Sequence, residues 1–302
     1  MENLNFYAEE CLSVMKSTKN ISEYSCLAYS SDLNDFIKFC DGKIDKDVLV
    51  KYVFHLAQDR HLCDTTISRK LITLKMFFRY LYNQNLIKVN YYENCHFRFR
   101  KERRLPKTLT KNEIADLLKT ATAERNSAKS NPEVFQTSRN LALVDVLIST
   151  GIRIGEASAI SLDDIIESEK TLLIHGKGRK QRLIYISCEE TWNNLNNWLS
   201  IREEMNISTD KLFVNRSGNQ LGIHGIEYIY KRIKEKAGIN PFSTPHYLRH
   251  TFATNLLSNG ADLRSVQELL GHSSVAITEI YTEITAQRRK EVLDKYNLRN
   301  TL

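Results

Sequence analysis

A dense run of charge a third of the way along this chain decides how the rest of it can fold. Arg98-Phe99-Arg100-Lys101-Glu102-Arg103-Arg104 holds five cations and one acid, and Pro106 closes it. Burying unpaired charge costs several kcal/mol per ion, so this segment cannot pass through a core. It reads as an exposed linker, residues 98–107, between a first domain at 1–97 and a second at 108–302. The 302 residues are enough for two domains with cores of their own.

The first domain reads as helical throughout. Leu4, Ala8, Cys11/Leu12 and Met15 recur at helical spacing, as do Tyr29, Leu33, Phe36/Ile37 and Cys40 before Asp41-Gly42. A third run carries Val48/Leu49, Tyr52/Val53 and Leu56; a fourth, from Asp64, carries Ile67, Leu71, Leu74, Phe78 and Leu81 in a narrow stripe. Four short helices with few glycines and prolines predict a compact bundle. Arg69, Lys75 and Arg79 fall on or beside the outer face of the fourth helix. With Arg98, Arg100, Lys101, Arg103 and Arg104 of the linker they form a candidate phosphate-binding stripe.

In the second domain, Thr110-Lys111-Asn112-Glu113 has the capping-box pattern ahead of Ile114, Leu117 and Leu118. The polar stretch Glu124 to Ser138 reads as a loop, and Leu141 to Ile148 as a strongly apolar helix stopped by Thr150-Gly151. Thr171–Ile174 and Arg182–Ile186 read as strands joined through Gly176-Lys177-Gly178-Arg179-Lys180. Helices follow around Trp192–Arg202, Ile223–Ala237, His246–Ser258, Asp262–Leu269 and Ser274–Tyr281. The expected fold is mainly α with one small β-sheet.

A net charge of +7 and a pI near 9.0 favour a polyanionic partner. The acidic start Met1-Glu2-Asn3-Leu4 lacks the layout of a signal peptide, and no apolar run approaches the roughly 20 residues that span a bilayer. A cytoplasmic protein is expected. The six cysteines show no C-x-x-C spacing and read as small apolar residues, without zinc or disulfides.

Two motifs invite other chemistry and do not complete it. Gly176-Lys177-Gly178 lacks the G-x-x-x-x-G-K-[ST] layout and lies between strands, so a nucleotide loop is not expected. His246 and His250 have the i, i+4 spacing of a zinc pair, yet Tyr247 stands where the catalytic Glu belongs and Arg249 would repel the metal. His246 and Arg249, at i, i+3, can instead hold an anionic oxygen together. Taken singly, Lys177 is an ordinary turn lysine, His272 a helix-junction residue and Tyr281 a core aromatic.

Order and spacing change that reading. Thr150-Gly151-Ile152-Arg153-Ile154-Gly155-Glu156, the Gly176-Lys177-Gly178 turn, Thr244-Pro245-His246-Tyr247-Leu248-Arg249-His250-Thr251-Phe252-Ala253-Thr254, Leu269-Leu270-Gly271-His272-Ser273 and Ile280-Tyr281-Thr282 resemble the tyrosine recombinase signature of phage-type integrases and Xer-like proteins. The resemblance implies a SAM-like helical core-binding domain and an α+β catalytic domain, closing on DNA as a C-shaped clamp. It implies that Tyr281 forms a 3′-phosphotyrosyl bond, that Arg153 and Arg249 grip the scissile phosphate, and that Lys177 protonates the leaving 5′-oxygen. His246 and His272 would complete the pocket, with Glu156 steadying it from behind. It further implies double-stranded DNA with an inverted-repeat core site, a dimer on each site and a tetramer in synapsis, no metal or cofactor, and a nucleoid-associated cytoplasmic location. The tail, about 283–302, would dock on a neighbouring subunit.

Elementary chemistry supports those roles. A free tyrosine has a pKa near 10, so about one in a thousand is ionised at pH 7 and pre-ionisation costs ~4 kcal/mol. A proton acceptor or a strong positive field must meet that cost. Fixed guanidiniums stabilise charge developing on the phosphoryl oxygens. Two alternatives stay open: a DNA-binding protein that cuts nothing, and a type IB-like topoisomerase. Within the recombinases the layout suits both Xer-type dimer resolution and mobile-element integration, and the long polar stretch 124–138 tilts it toward the latter. The target site, directionality and any accessory protein are not legible in the sequence.

Overall fold

Apolar residues at helical spacing build two separate cores in this protein, seen in a computed structural model that describes residues 4–19, 21, 23–95, 97, 99, 107–176, 181–271 and 286–301. The chain divides into units Met1–Arg104 and Leu105–Leu302. No helix among the described residues is long and apolar enough to cross a membrane.

The first unit has the four helices the periodicity predicts: α1 Leu4–Lys19, α2 Glu23–Cys40, α3 Val48–Phe54, widening into one looser turn at His55–Asp59, and α4 Asp64–Asn83. Phe36, Tyr52, Phe77 and Phe78 are fully buried at its centre, with the Phe36 ring edge-on to both Tyr52 and Phe78. The α4 stripe is wider than expected, since Lys70 and Thr73 are buried too. Their burial follows from Asp32 on α2, a carboxylate only 1% exposed that accepts from Lys70 Nζ at 3.2 Å and Thr73 Oγ1 at 3.0 Å. Arg69 is exposed as expected, its side chain 47% open to solvent, and both its terminal nitrogens fork onto Asp32, Nη2 at 2.8 Å. A buried carboxylate requires such donors, and sequence spacing cannot reveal one 37 residues away. Lys75 and Arg79 are exposed as expected. Arg98, Arg100, Lys101, Arg103 and Arg104 lie outside the described residues.

The second unit opens with α5 Lys111–Ser127, whose Thr110/Glu113 capping box forms as read: Glu113 N–H donates to Thr110 Oγ1 at 3.2 Å and Thr110 N–H to Glu113 Oε2 at 2.8 Å. The stretch 124–138 is not the expected loop. After a break at Ala128–Ser130, α6 spans Asn131–Thr150. Glu133 turns back to accept from the Lys129 and Ser130 N–H groups at 3.0 and 3.2 Å, and Pro132 occupies the first turn. Polar residues there are helix-start signals.

Next come α7 Ile154–Ala159 and an antiparallel sheet of β1 Ile165–Ile166, β2 Thr171–His175 and β3 Gln181–Tyr185 in the order β1-β2-β3. β1 was not anticipated, being only two residues long. Ile174 pairs with Arg182 and Leu172 with Ile184. Helices α8 Glu189–Glu204, α9 Ile223–Ala237, α10 Pro245–Ser258, α11 Leu263–Leu270 and α12 Ala286–Tyr296 complete the unit. The expected helix Ser274–Tyr281 lies outside the described residues. α6 is buried along Ser138–Thr150 and forms the spine of the core.

Within this one chain, residues 286–301 of the tail pack on the second unit. Val292 and Leu293 are buried, Asn297 donates to Ser149 O at 2.8 Å, and Arg299 Nε donates to Asp145 Oδ1 at 2.8 Å. Asp145 is fully buried and also accepts from Thr191 and Asn194, each at 2.8 Å. These contacts tie the end of the tail to α6. Removing one partner of a buried pair strands the other charge, at roughly 3–5 kcal/mol. Arg299→Ala is therefore expected to destabilise the second unit by about 3–5 kcal/mol, measured by urea unfolding, whereas Lys295→Ala at the exposed surface should change it little.

Candidate active site

The Thr150-Gly151-Ile152-Arg153 turn is built by the end of one helix and the start of the next. Gly151 caps α6 at φ +61°, and a Cβ there would stand 2.5 Å from Phe252 Cδ1 on α10. Only glycine meets both demands, the left-handed backbone and the close approach. Arg153 follows at the N-cap of α7, with its side chain about two-fifths exposed.

Glu156, in the first turn of α7, is buried and saturated with donors. Its Oε1 accepts from Arg153 Nη1 at 2.9 Å and Arg182 Nη1 at 3.0 Å; its Oε2 accepts from the Arg153 N–H and from Arg182 Nη2, both at 2.8 Å. Burial pushes this carboxyl upward, but the Arg182 hydrogen bonds, the Arg153 N–H and the two positive charges outweigh it and hold the pKa below its ordinary value. Sequence reading anticipated Glu156 beside Arg153 and missed Arg182. The available signal was an arginine inside the apolar run Leu183-Ile184-Tyr185-Ile186 of a short strand.

Arg249 points inward from α10, with only 4% of its surface exposed. Its Nη1 donates to Gly151 O at 2.8 Å and its Nη2 to Leu270 O at 2.6 Å. Burial first, then the Arg153 charge, lower its pKa to about 10, so it stays cationic at neutral pH. Pro245 opens α10 ahead of Arg249, and Thr251, two residues after it, accepts from the Leu109 N–H through its hydroxyl at 2.8 Å.

His246 and His250 sit one turn apart with ring centroids 4.5 Å apart and planes at 79°. The rings meet edge to face. Partial burial lowers the His246 pKa, followed by His250, Arg249 and Arg153; burial and then Arg249 lower that of His250. Of the expected catalytic residues, the structure brings Arg153, His246 and Arg249 into one electrostatic neighbourhood with Glu156 behind Arg153. Lys177, His272 and Tyr281 lie outside the described residues. Gly271, which precedes His272, caps α11 at φ +62°.

Arg153, Arg249 and His246 thus share one positive field, of the kind that attracts an anion. The profile of the phage integrase family matches residues 107–288, and that of the phage integrase N-terminal SAM-like domain matches residues 9–85. The tyrosine recombinase XerC of Leptospira interrogans is 34% identical over 301 residues, 97% of this chain and 94% of that protein. XerC of Pediococcus pentosaceus is 35% identical over 298 residues, 94% of this chain and 95% of that protein. A crystal structure of XerH site-specific recombinase bound to difH substrate, a pre-cleavage complex, superimposes with a TM-score of 0.68 at 25% identity, over 88% of this chain and 79% of that one. A lambda integrase (residues 75–356) dimer bound to a COC′ core site shares the fold, with a TM-score of 0.66 at 16% identity over 93% of this chain and 99% of that one. The chain belongs to the phage integrase family, the tyrosine recombinases. Its activity is site-specific recombination.

A folded-state pKa below 6.5 means that the native fold disfavours protonated His246 and His250. That contribution to stability is complete above pH 6.5 and is lost as the pH falls through the lowered values. Ring-proton NMR titration is expected to give midpoints below 6.5 for both, and Arg249→Met should move both upward by removing a nearby cation.

Proposed function

We propose that Tyr281 attacks the scissile phosphate of double-stranded DNA, forming a Tyr281 Oη–P bond as the P–O5′ bond breaks. The tyrosine proton passes to an acceptor in the pocket, with His246 assisting, and Lys177 protonates the departing 5′-oxygen. Arg153 and Arg249 hold the non-bridging oxygens and His272 completes the pocket. The phosphotyrosyl ester keeps the energy of the broken bond, so attack by a 5′-hydroxyl reseals the strand without ATP.

The observation that carries this reading is the state of Arg249. It is a buried cation whose hydrogen bonds to Gly151 O and Leu270 O go to neutral carbonyls, with a second cation, Arg153, close enough to depress its pKa. Two like charges drawn together this way form a receptor for an anion. Both gain when a phosphate arrives. Losing one such donor typically costs ~3–4 kcal/mol of barrier.

The partner in this reading is a duplex with an inverted-repeat core site, bound by a dimer and brought into a tetramer at synapsis, in the cytoplasm at the nucleoid. The bundle contributes phosphate contacts through Lys75 and Arg79 and the chain between the units through Arg98, Arg100, Lys101, Arg103 and Arg104. Arg69 joins them, its side chain 47% exposed while it pairs with Asp32. Full-length similarity to XerC proteins supports an Xer-type resolving role over a mobile-element role. Tail exchange between subunits would have to exchange the Arg299–Asp145 pair for an equivalent one in the neighbour.

The test is incubation with a nicked duplex carrying the site recovered from cells by crosslinking through Tyr281. A phenol- and SDS-stable protein–DNA adduct is expected, and Tyr281→Phe should abolish it while retaining binding. No adduct on a tightly bound site would leave a DNA-binding protein that does not cut. Relaxation of supercoiled DNA by monomers without sequence preference would indicate a topoisomerase. For the bundle contacts, Lys75→Ala combined with Arg79→Ala should shallow the slope of log affinity against log salt by about 2. An unchanged slope would remove this pair from the interface.

A further inference from the structure

Three arginines of the catalytic unit are joined in one circuit of hydrogen bonds and short backbone links. Arg153 reaches Glu156 through Nη1 at 2.9 Å, and Arg182 forks onto the same carboxylate at 3.0 and 2.8 Å. Arg182 Nε then reaches Leu269 O at 2.8 Å, and Arg249 Nη2 takes the next carbonyl, Leu270 O, at 2.6 Å. Arg249 Nη1 returns to Gly151 O at 2.8 Å, two residues before Arg153. The circuit is thereby closed through α7, β3, α11 and α10.

Arg182 occupies the rear of this circuit. Its side chain is 12% exposed, and three of the five guanidinium hydrogens are committed to Glu156 and Leu269. That planar engagement suits bracing better than contact with substrate. Gly271 makes room for it: a Cβ there would lie 2.9 Å from Arg182 Nη1 and 3.2 Å from Cζ. The same glycine closes α11 at φ +62°, so the carbonyls of Leu269 and Leu270 emerge side by side, one for each arginine.

We propose that Arg182 is a positioning residue that sets the separation of the Arg153 and Arg249 guanidiniums, and so their joint grip on the two non-bridging oxygens of the scissile phosphate. This rests on the clamp role given above to Arg153 and Arg249. Lysine cannot replace it: one ammonium cannot reproduce a planar fork on Glu156 together with a third bond to Leu269 O. Residues that hold a reactive group from behind typically alter activity 10- to 100-fold, an effect known from metal sites and expected here by the same mechanics.

The test compares adduct formation on the nicked duplex with either a normal phosphodiester or a methylphosphonate at the scissile position. The methyl group removes the charge of one non-bridging oxygen, so the neutral centre no longer needs two correctly spaced guanidiniums. Arg182→Met is expected to slow adduct formation on the phosphodiester by about 10- to 100-fold, with DNA affinity within about twofold of wild type. It should recover most of that loss on the methylphosphonate. Arg182→Lys should fall as far as Arg182→Met, because the fork rather than the charge is required. Should Arg182→Met fail to fold, Arg182→Gln, which keeps a polar side chain but not the planar fork, is expected to follow the same pattern.

A wild-type rate in Arg182→Met, full activity in Arg182→Lys, or an equal loss on both substrates would overturn the proposal. Arg249→Ala separates it from the reading on which it rests. Methylphosphonate rescue of Arg249→Ala without rescue of Arg182→Met sinks the positioning role alone, whereas no rescue of Arg249→Ala sinks the clamp.

Discussion

Burying the guanidinium of Arg249 imposes a demand that organises the surrounding unit. A cation withdrawn from water must meet oxygens at hydrogen-bond distance, and in this chain those oxygens belong to main-chain carbonyls at two helix ends. α6 therefore has to stop at Gly151 and α11 at Gly271, each through a left-handed glycine that leaves a carbonyl turned toward the arginine. Carbonyls satisfy the hydrogen bonds without cancelling the charge. The site keeps its positive field, and Arg153, which shares that field, is held by Glu156. A carboxylate placed directly on Arg249 would have satisfied burial equally well and weakened the receptor.

The same principle, a buried charge recruiting distant segments, recurs at two structural sites. Asp145 on α6 gathers α8 and the chain end through Thr191, Asn194 and Arg299. In the first unit Asp32 gathers Arg69, Lys70 and Thr73 from α4. Both carboxylates hold pieces of chain far apart in sequence. One binds Arg299 near the chain end, and the other pairs with Arg69 on an α4 face where Lys75 and Arg79 are exposed as well.

Much of the helical framework was legible because apolar periodicity is a local property. α9 spans Ile223–Ala237 as read, the four helices of the bundle follow their stripes, and the Thr110/Glu113 cap forms where its spacing places it. The polar stretch 124–138 was misread because polar residues mark both loops and helix starts. The decisive feature there is Glu133 folding back on Ser130, a three-dimensional contact. Arg153, Glu156, His246 and Arg249 were named from motif order. Arg182 was not, since its partners Glu156 and Leu269 lie 26 and 87 residues away. A lone arginine in a strand carries no mark of what it will meet.

By itself, then, the sequence determined the helical content, the division into two units on either side of a charge run that no core could accept, and the inventory of cations and nucleophile ordered as in a tyrosine recombinase. Those properties depend on neighbours within a few residues or on the order of types along the chain. Only the tertiary structure decided which cations meet main-chain carbonyls and which serve a buried carboxylate. It made Arg249 a charged group held by carbonyls, tied Arg69 to Asp32, set Arg182 behind Arg153 and Arg249, and folded the tail onto its own unit. The reason is that a charge takes its role from the oxygens it meets after folding, and in this protein most of those oxygens come from remote segments of the chain.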